Sequence, residues 1–138
     1  MAIGLSVDFL WYPIGNESFV HSFFSSICYN LEKQEWGSRF PFLMNNLYQG
    51  KLKYTDVDSA IEELTTIQKE LKKFSPNQVV WDIEDLSKQP PWGDKISSEI
   101  TDLSNYYITC NGEDLFEIMF KALNDSESEK QDIILESL

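Results

Sequence analysis

The sequence predicts an α/β or α+β fold, in which one mixed sheet of about four strands packs against three to four helices. Two observations predict this class. Near the start of the chain every second residue is apolar, which is typical of a strand, and further along apolar residues recur at helical spacing. Hydrophobic residues make up 42% of the 138 residues, enough for a substantial core. We therefore expect residues 1–138 to form a single domain.

The first third of the chain predicts a strand and a helix. One half-buried strand is expected over residues 3–12, because every odd-numbered position is apolar. The odd positions hold Ile3, Leu5, Val7, Phe9 and Trp11, and they alternate with Gly4, Ser6, Asp8, Leu10 and Tyr12. Asn16 can cap a helix and Gly37 can end it, and the apolar residues between them recur at helical spacing: Phe19, Phe23, Ile27 and Leu31. A short apolar turn then begins at Pro41 and stops at Gly50.

The second part of the chain predicts alternating helices and strands. The clearest helix follows Tyr54, is capped by Thr55 or Asp56, and carries one apolar stripe up to Leu71. Because helix-length connections between strands favour parallel neighbours, we expect a mixed sheet. The remaining predicted elements are a strand Gln78–Glu84, a short helix Ile96–Ser104, a strand Asn105–Cys110, a helix Glu113–Asn124, a polar loop NDSESEKQD and a strand Asp132–Glu136.

The net charge indicates the kind of partner. Eleven basic and twenty-three acidic residues give a net charge of −12. Residues 1–54 contain four acidic and four basic residues, so residues 55–138, with 19 acidic and seven basic residues, carry the whole excess. Such an excess repels nucleic acid and anionic membranes and attracts a basic partner. Solubility alone is the alternative explanation.

The cysteines and the absence of targeting signals predict the compartment. Cys28 and Cys110 lie far apart and outside any metal-binding spacing, and the sequence leaves open whether they pair. No charged and apolar leader opens the chain, and no apolar run approaches the roughly 20 residues that a membrane helix needs. We therefore expect a cytoplasmic protein with reduced thiols and no cofactor.

The stretch VVWDIEDLSKQPPWGDKIS concentrates four carboxylates and two tryptophans. Asp82 and Glu84 are expected on one face of a strand, with α-carbons about 6.7 Å apart. Two such carboxylates can bind Mg²⁺ or act as an acid and a base. However, both lie on one anionic segment, which does not separate their pKa values, and Lys88 falls beyond the predicted strand. A small metal-dependent hydrolase using Asp82 and Glu84 is therefore kept as the alternative to a binding surface.

Other catalytic constellations are not supported. His21 lies seven residues from Cys28 on the same predicted helix, roughly 10.5 Å away, which is too far for a nucleophile and its base. We interpret His21 as an ordinary helix residue. The sequence contains no glycine-rich phosphate loop, serine nucleophile elbow or paired Cys/His zinc pattern. It therefore predicts neither catalytic residues nor metal ligands.

The loop SKQPPWGDK has the features of a protein-binding surface. Two adjacent prolines stiffen it, which lowers the entropy lost on binding, and a tryptophan lies at its tip. The alternative is that this tryptophan folds back over the edge of the core, where Trp81 is also expected from the buried face of its strand. The residues predicted to bind a partner are Asp82, Glu84, Asp85, Trp92 and Asp94.

Six segments, in order along nearly the whole chain, resemble a bacterial family, the immunity protein 70 family. The resemblance is specific for the set and not for any one segment. The segments are WYPIG at 11–15, HSFF at 21–24, WGSRFPFLMNNLYQGKL at 36–52, VVWDIED at 79–85, PPWGDKIS at 90–97 and NGEDL at 111–115.

The resemblance implies a cytoplasmic antidote that binds the toxic C-terminal domain of a polymorphic toxin. Many such domains are nucleases, and an acidic domain without a catalytic set suits a basic target. The interpretation is therefore an immunity protein that works by steric and electrostatic blocking. A second alternative, an acidic adaptor or nucleic-acid mimic unrelated to toxins, would use the same surface with a different partner.

Overall fold

The computed structural model describes residues 2–137. A π-helical turn, Phe42–Leu47, and two 3₁₀ turns, Tyr54–Asp56 and Pro76–Gln78, lie between the longer elements. The longer elements are β1 (Ile3–Val7), β2 (Leu10–Gly15), α1 (Glu17–Leu31), β3 (Lys51–Leu52), α2 (Val57–Leu71), α3 (Leu115–Glu129) and β4 (Ile133–Ser137).

The fold is α+β, with four strands in the order β2-β1-β4-β3. The predicted class and strand number are confirmed. The expectation of a mixed sheet is wrong, because every pair of neighbouring strands is antiparallel. That expectation depended on two further strands, between α2 and α3, which the chain does not form. In the observed sheet, β1 and β2 form a hairpin, and β4 lies between β1 and β3.

The first predicted strand is in fact a hairpin. Val7 pairs with Leu10, so Asp8 and Phe9 form a two-residue turn, and Asp8 has a positive φ of 54°. The turn reverses which positions face the core: Phe9 is 96% exposed, while Tyr12, an even-numbered residue, is buried. Apolar alternation continues through the turn, which is why the sequence predicts one strand where the structure has two.

The three long helices are close to prediction, with different ends. Asn16 caps α1 by accepting a hydrogen bond from the backbone N–H of Phe19 (2.9 Å). Helix α1 ends at Leu31 rather than Gly37, because Lys33 and Gln34 adopt positive φ angles. Helix α2 buries the predicted apolar stripe. Helix α3 continues to Glu129, so most of the predicted polar loop NDSESEKQD is helical.

The hydrophobic core lies between one face of the sheet and the helices. Phe23 of α1 stands at its centre and makes edge-to-face contacts with Tyr107 and Phe116, at ring-centroid distances of 5.3 and 5.4 Å. Leu5 of β1 and Leu64 of α2 are completely buried in the same core. This packing fixes α1 against both the sheet and the loop region that follows α2.

The region between α2 and α3 contains almost no regular structure. The predicted strand Gln78–Glu84 and helix Ile96–Ser104 are absent and replaced by turns. The predicted strand Asn105–Cys110 is reduced to one isolated bridge between Ile108 and Asp114. Part of this region is buried nonetheless, including Val80, Trp81, Leu103 and Tyr107, whereas Leu86 and Ile108 are exposed. Side chains of α1 supply hydrogen bonds to the backbone around Val80 in place of a neighbouring strand.

Within residues 2–137, no helix combines the length and the apolar character needed to cross a membrane.

Candidate functional site

Three buried serines of α1 hold the segment around Val80 in place. The backbone N–H of Val80 donates to Ser26 Oγ (2.9 Å), and Ser22 Oγ donates to the Val80 carbonyl (2.9 Å). The N–H of Ile83 donates to Ser25 Oγ (3.1 Å). Tyr107 completes this network, with its hydroxyl 2.7 Å from Ser26 Oγ. The backbone of residues 80–83 is therefore fixed beside α1. This places the side chain of Asp82 next to His21 of the same helix.

His21, on α1, lies between two polar partners. Its Nε2 is 3.1 Å from Asp82 Oδ1, and its Nδ1 is 2.6 Å from the Tyr48 hydroxyl. An ionised carboxylate can only accept hydrogen bonds, so Nε2 carries a proton and donates a hydrogen bond to Asp82. In the neutral ring, Nδ1 then accepts a hydrogen bond from the Tyr48 O–H. The imidazole ring is thus fixed in both position and tautomer.

Asp82 is held by two hydrogen bonds and one ion pair. In addition to His21, the backbone N–H of Glu84 donates to Oδ1 (2.9 Å), and Lys88 Nζ lies 3.4 Å from Oδ2. Partial burial tends to raise the pKa of Asp82, but the donors outweigh burial, and the pKa lies below its usual value. Asp82 is therefore an ionised, well-oriented carboxylate at neutral pH.

These residues border an open cleft of about 330 Å³ on the surface. Its lining combines three carboxylates with one histidine, one lysine and aromatic side chains. We call it the acidic groove, and its lining residues are Glu17, Ser18, His21, Tyr48, Trp81, Asp82, Glu84 and Lys88.

Tyr48 is partly buried in the acidic groove and lies near three carboxylates. Burial is the main cause of its raised pKa, and three negative charges raise it further, those of Glu84, Glu17 and Asp82. A second cleft, of about 340 Å³, shares part of this lining and extends to Glu136 on β4. The groove is therefore an open region in which several carboxylates act on the same point.

Aromatic packing supports the back of the groove. Trp36 stacks on the ring of His21 at a centroid distance of 6.4 Å and meets Tyr48 at 5.0 Å. The indole N–H of Trp36 donates to the Met44 carbonyl (2.9 Å), which fixes the ring. Three of the segments that carry the family resemblance, those containing His21, Trp36 with Tyr48, and Asp82, meet at this place.

The predicted partner-binding residues are distributed over the groove and the loop that follows it. Asp82 and Glu84 line the acidic groove. Asp85 is exposed, and its pKa is lowered by hydrogen bonds from the side chain and the backbone N–H of Ser87. Asp94 is also exposed, two residues after Trp92.

Trp92 packs against the edge of the core and is also partly exposed. Its ring packs edge-on against Trp81 at a centroid distance of 5.3 Å, and its indole N–H donates to the Tyr106 hydroxyl (2.9 Å). It is still 37% exposed, whereas Trp81 is buried as predicted. Gly93 completes the turn with a φ of 60°, a conformation that glycine adopts without strain. One face of the Trp92 ring covers the core, and the rest of the side chain is exposed to solvent.

Two interpretations of the sequence are wrong at this site. His21 is not an ordinary helix residue, because its ring joins Asp82 and Tyr48. Lys88 does not lie away from the carboxylates, because the segment is a turn rather than an extended strand and brings its ammonium group back to Asp82. No local motif marks the contact of His21 with Asp82, because these residues are 61 positions apart.

Among the described residues, one group of three can supply ligands to a metal ion. It consists of His21, Asp82 and Glu84, whose nearest ligand atoms all lie within 4.8 Å of one another. The cysteines do not contribute: both are free thiols, Cys110 is exposed, and Cys28 is buried in the core. Burial, with the charge of Glu32, raises the pKa of Cys28 to about 11, so its thiol stays protonated.

The comparisons with known proteins agree with the resemblance seen in the sequence. The family model described as "Immunity protein 70" matches residues 5–135, which is nearly the whole chain. No curated protein and no solved structure matches the chain. The matched range includes every residue of the acidic groove and of the loop around Trp92. The chain belongs to the immunity protein 70 family.

Proposed function

We propose that this chain is the antidote of a polymorphic toxin system. It binds the toxic C-terminal domain of a cognate toxin in the cytoplasm of the producing cell and blocks it without catalysis. Membership in an immunity protein family supports the binding role. The net charge of −12 supports a basic target, and residues 55–138 carry all of it.

A nuclease domain is the target class that this charge suits best. Nucleases bind a polyanion, so their substrate clefts carry basic side chains. The observation that supports this choice is the acidic groove, where Asp82, Glu84 and Glu17 act together on one open region. Carboxylates placed in this way compete with phosphates for the basic side chains of such a cleft.

The proposed interface continues from the groove onto the loop after it. Asp82, Glu84, Asp85 and Asp94 supply charge, and the exposed part of Trp92 supplies an apolar anchor. Inhibition by coverage needs at least a standard interface, about 1,600 Å² in total. Both the groove and the loop are therefore expected to contact the toxin.

Co-expression tests the role directly. The chain, expressed together with the toxin encoded beside its gene, should restore growth, and the two proteins should elute as one complex in size-exclusion chromatography. Continued cell death, or separate elution of two folded proteins, would overturn the proposal.

A matched pair of charge reversals tests the surface. Glu84→Lys with Asp94→Lys should slow association with the toxin about tenfold or more at low salt, because steering depends on local charge. Glu62→Lys with Glu129→Lys changes the net charge equally at exposed positions on α2 and α3, and should have a much smaller effect. If both double variants slow association equally, the rate depends only on the net charge of the protein, and the interface lies outside the groove and the loop.

A second candidate function is a small metal-dependent hydrolase that uses Asp82 and Glu84. The observation in its favour is that Lys88 and His21 both reach Asp82, since nucleophile activation often needs a base or cation beside the carboxylates. Turnover by the purified protein, lost in Asp82→Asn, would support it. A protein that neutralises its toxin and shows no turnover of nucleic acid or phosphoester substrates would exclude those reactions.

A further inference from the structure

The geometry points to a binding site for one divalent transition-metal ion, of the Zn²⁺ class, at the edge of the acidic groove. We infer that its ligands are His21 Nε2, one carboxylate oxygen of Asp82 and one of Glu84. This site is independent of which toxin the protein binds and of whether it binds one.

The distances fit such an ion. Each ligand atom of tetrahedral Zn²⁺ lies about 2.0–2.1 Å from the metal, which places two ligand atoms about 3.3 Å apart. His21 Nε2 and Asp82 Oδ1 are 3.1 Å apart, and the three nearest ligand atoms lie within 4.8 Å of one another. Glu84 is exposed, so rotation of its side chain can close the remaining distance.

The surroundings also have the features of a metal site. Ligating histidines usually bond a second group through the other ring nitrogen, and here Tyr48 occupies Nδ1 at 2.6 Å. The N–H of Glu84 orients the carboxylate of Asp82. The groove leaves space for water molecules at the open coordination positions.

A lysine side chain of the protein lies beside the proposed metal site. The Lys88 ammonium lies 3.4 Å from Asp82 Oδ2, on the oxygen that does not face His21. A metal ion would take the place of the proton between Nε2 and Oδ1. The ring proton would then be carried by Nδ1, with the Tyr48 oxygen as its acceptor. Lys88 can remain on Oδ2, but its charge opposes that of the ion.

The donor set selects the class of ion. Imidazole nitrogen with carboxylate oxygen suits Zn²⁺, Co²⁺, Ni²⁺ and Mn²⁺, whereas Mg²⁺ and Ca²⁺ prefer oxygen ligands only. Zn²⁺ is therefore the probe. In titration calorimetry one Zn²⁺ per chain should bind, and Mg²⁺ should bind at least about tenfold more weakly.

Variants locate the site by loss of affinity. His21→Gln and Glu84→Gln should each weaken Zn²⁺ binding about tenfold or more. Glu99→Gln, which removes an exposed carboxylate outside the groove, should leave it nearly unchanged. Binding that falls equally in Glu84→Gln and Glu99→Gln would mean attraction by the acidic surface as a whole and would overturn the inference.

A gain of affinity provides a test that misfolding cannot imitate. Lys88→Met removes the opposing charge and should tighten Zn²⁺ binding about threefold, the size expected from losing a surface ion pair. Lys95→Met makes the same change at an exposed lysine of the same loop and should not alter the affinity. No Zn²⁺ binding at millimolar concentration, or the same tightening in both variants, would overturn the site.

Discussion

At the scale of single residues, the hydroxyl groups of α1 determine where the site forms. Ser22, Ser25 and Ser26 are completely buried, yet each has a backbone or side-chain partner from outside its own helix. Buried polar groups persist only when they are hydrogen bonded. These serines therefore act as acceptors and donors for a segment that has no neighbouring strand.

Ser26→Ala tests this role. The substitution leaves the buried N–H of Val80 without an acceptor, so the free energy of unfolding should fall by about 1–3 kcal/mol. Urea unfolding followed by tryptophan fluorescence measures the change. Ser98→Ala, at an exposed serine, is the control and should stay within about 0.5 kcal/mol of the wild type. Equal stability of the two variants would contradict the role.

How much of the site the sequence predicts depends on how far apart its residues lie along the chain. Asp82 and Glu84 are two positions apart, so their proximity could be predicted from the chain alone. His21 comes from α1 and Tyr48 from the end of the π-helical turn. Only tertiary packing brings His21 to Asp82 and Tyr48 to His21. No spacing rule connects residues that distant, and the predicted strand placed Lys88 out of reach.

At the scale of elements, α3 ends at a residue type that is unusual for its backbone conformation. Lys130 follows the helix in the left-handed conformation, with φ of 54°, a position that glycine commonly occupies. The N–H of the next residue, Gln131, bonds back to the Ser126 carbonyl at 3.1 Å. The helix therefore continues through most of the polar segment NDSESEKQD and ends in this closing turn.

Lys130→Gly should stabilise the protein by about 0.5–1 kcal/mol, because glycine adopts the left-handed conformation at lower cost than lysine. Thermal unfolding followed by circular dichroism measures this. Lys121→Gly is the matched control: it removes the same side chain from an exposed position inside α3 and should destabilise by about 1 kcal/mol. Destabilisation in both variants would show that the lysine side chain matters more than the backbone conformation.

The elements also show where prediction from sequence fails. The buried faces of α2 and α3 agree with the sequence pattern, because each of these helices carries a clear apolar stripe over its length. The strand Gln78–Glu84 was predicted from alternation, but its backbone bonds to serine side chains instead of to a strand. The two-residue strand β3 pairs only through Lys51 and Leu52 and is too short to give a pattern.

At the scale of the whole molecule, the net charge of −12 has two opposite effects. Like charges repel one another in the folded state, which lowers its stability, whereas the same charges attract a basic partner. Salt screens both interactions, because the Debye length falls from about 30 Å at 0.01 M to about 3 Å at 1 M.

NaCl should therefore stabilise the free protein and slow its binding. Over this range of salt the unfolding midpoint should rise by about 3 °C, which corresponds to roughly 1 kcal/mol in a domain of this size. The association rate with the toxin should fall by about tenfold or more. Differential scanning calorimetry and stopped-flow fluorescence measure the two quantities. A midpoint that falls with salt would mean that favourable ion pairs outweigh the repulsion.

The strand order has a consequence for synthesis of the protein. The two central strands are β1 and β4, which are separated by more than a hundred residues although they are neighbours in the sheet. A nascent chain on the ribosome therefore holds β1 with only its hairpin partner until residues 133–137 have left the exit tunnel. Translation that stalls before that point leaves the sheet open on one side of β1.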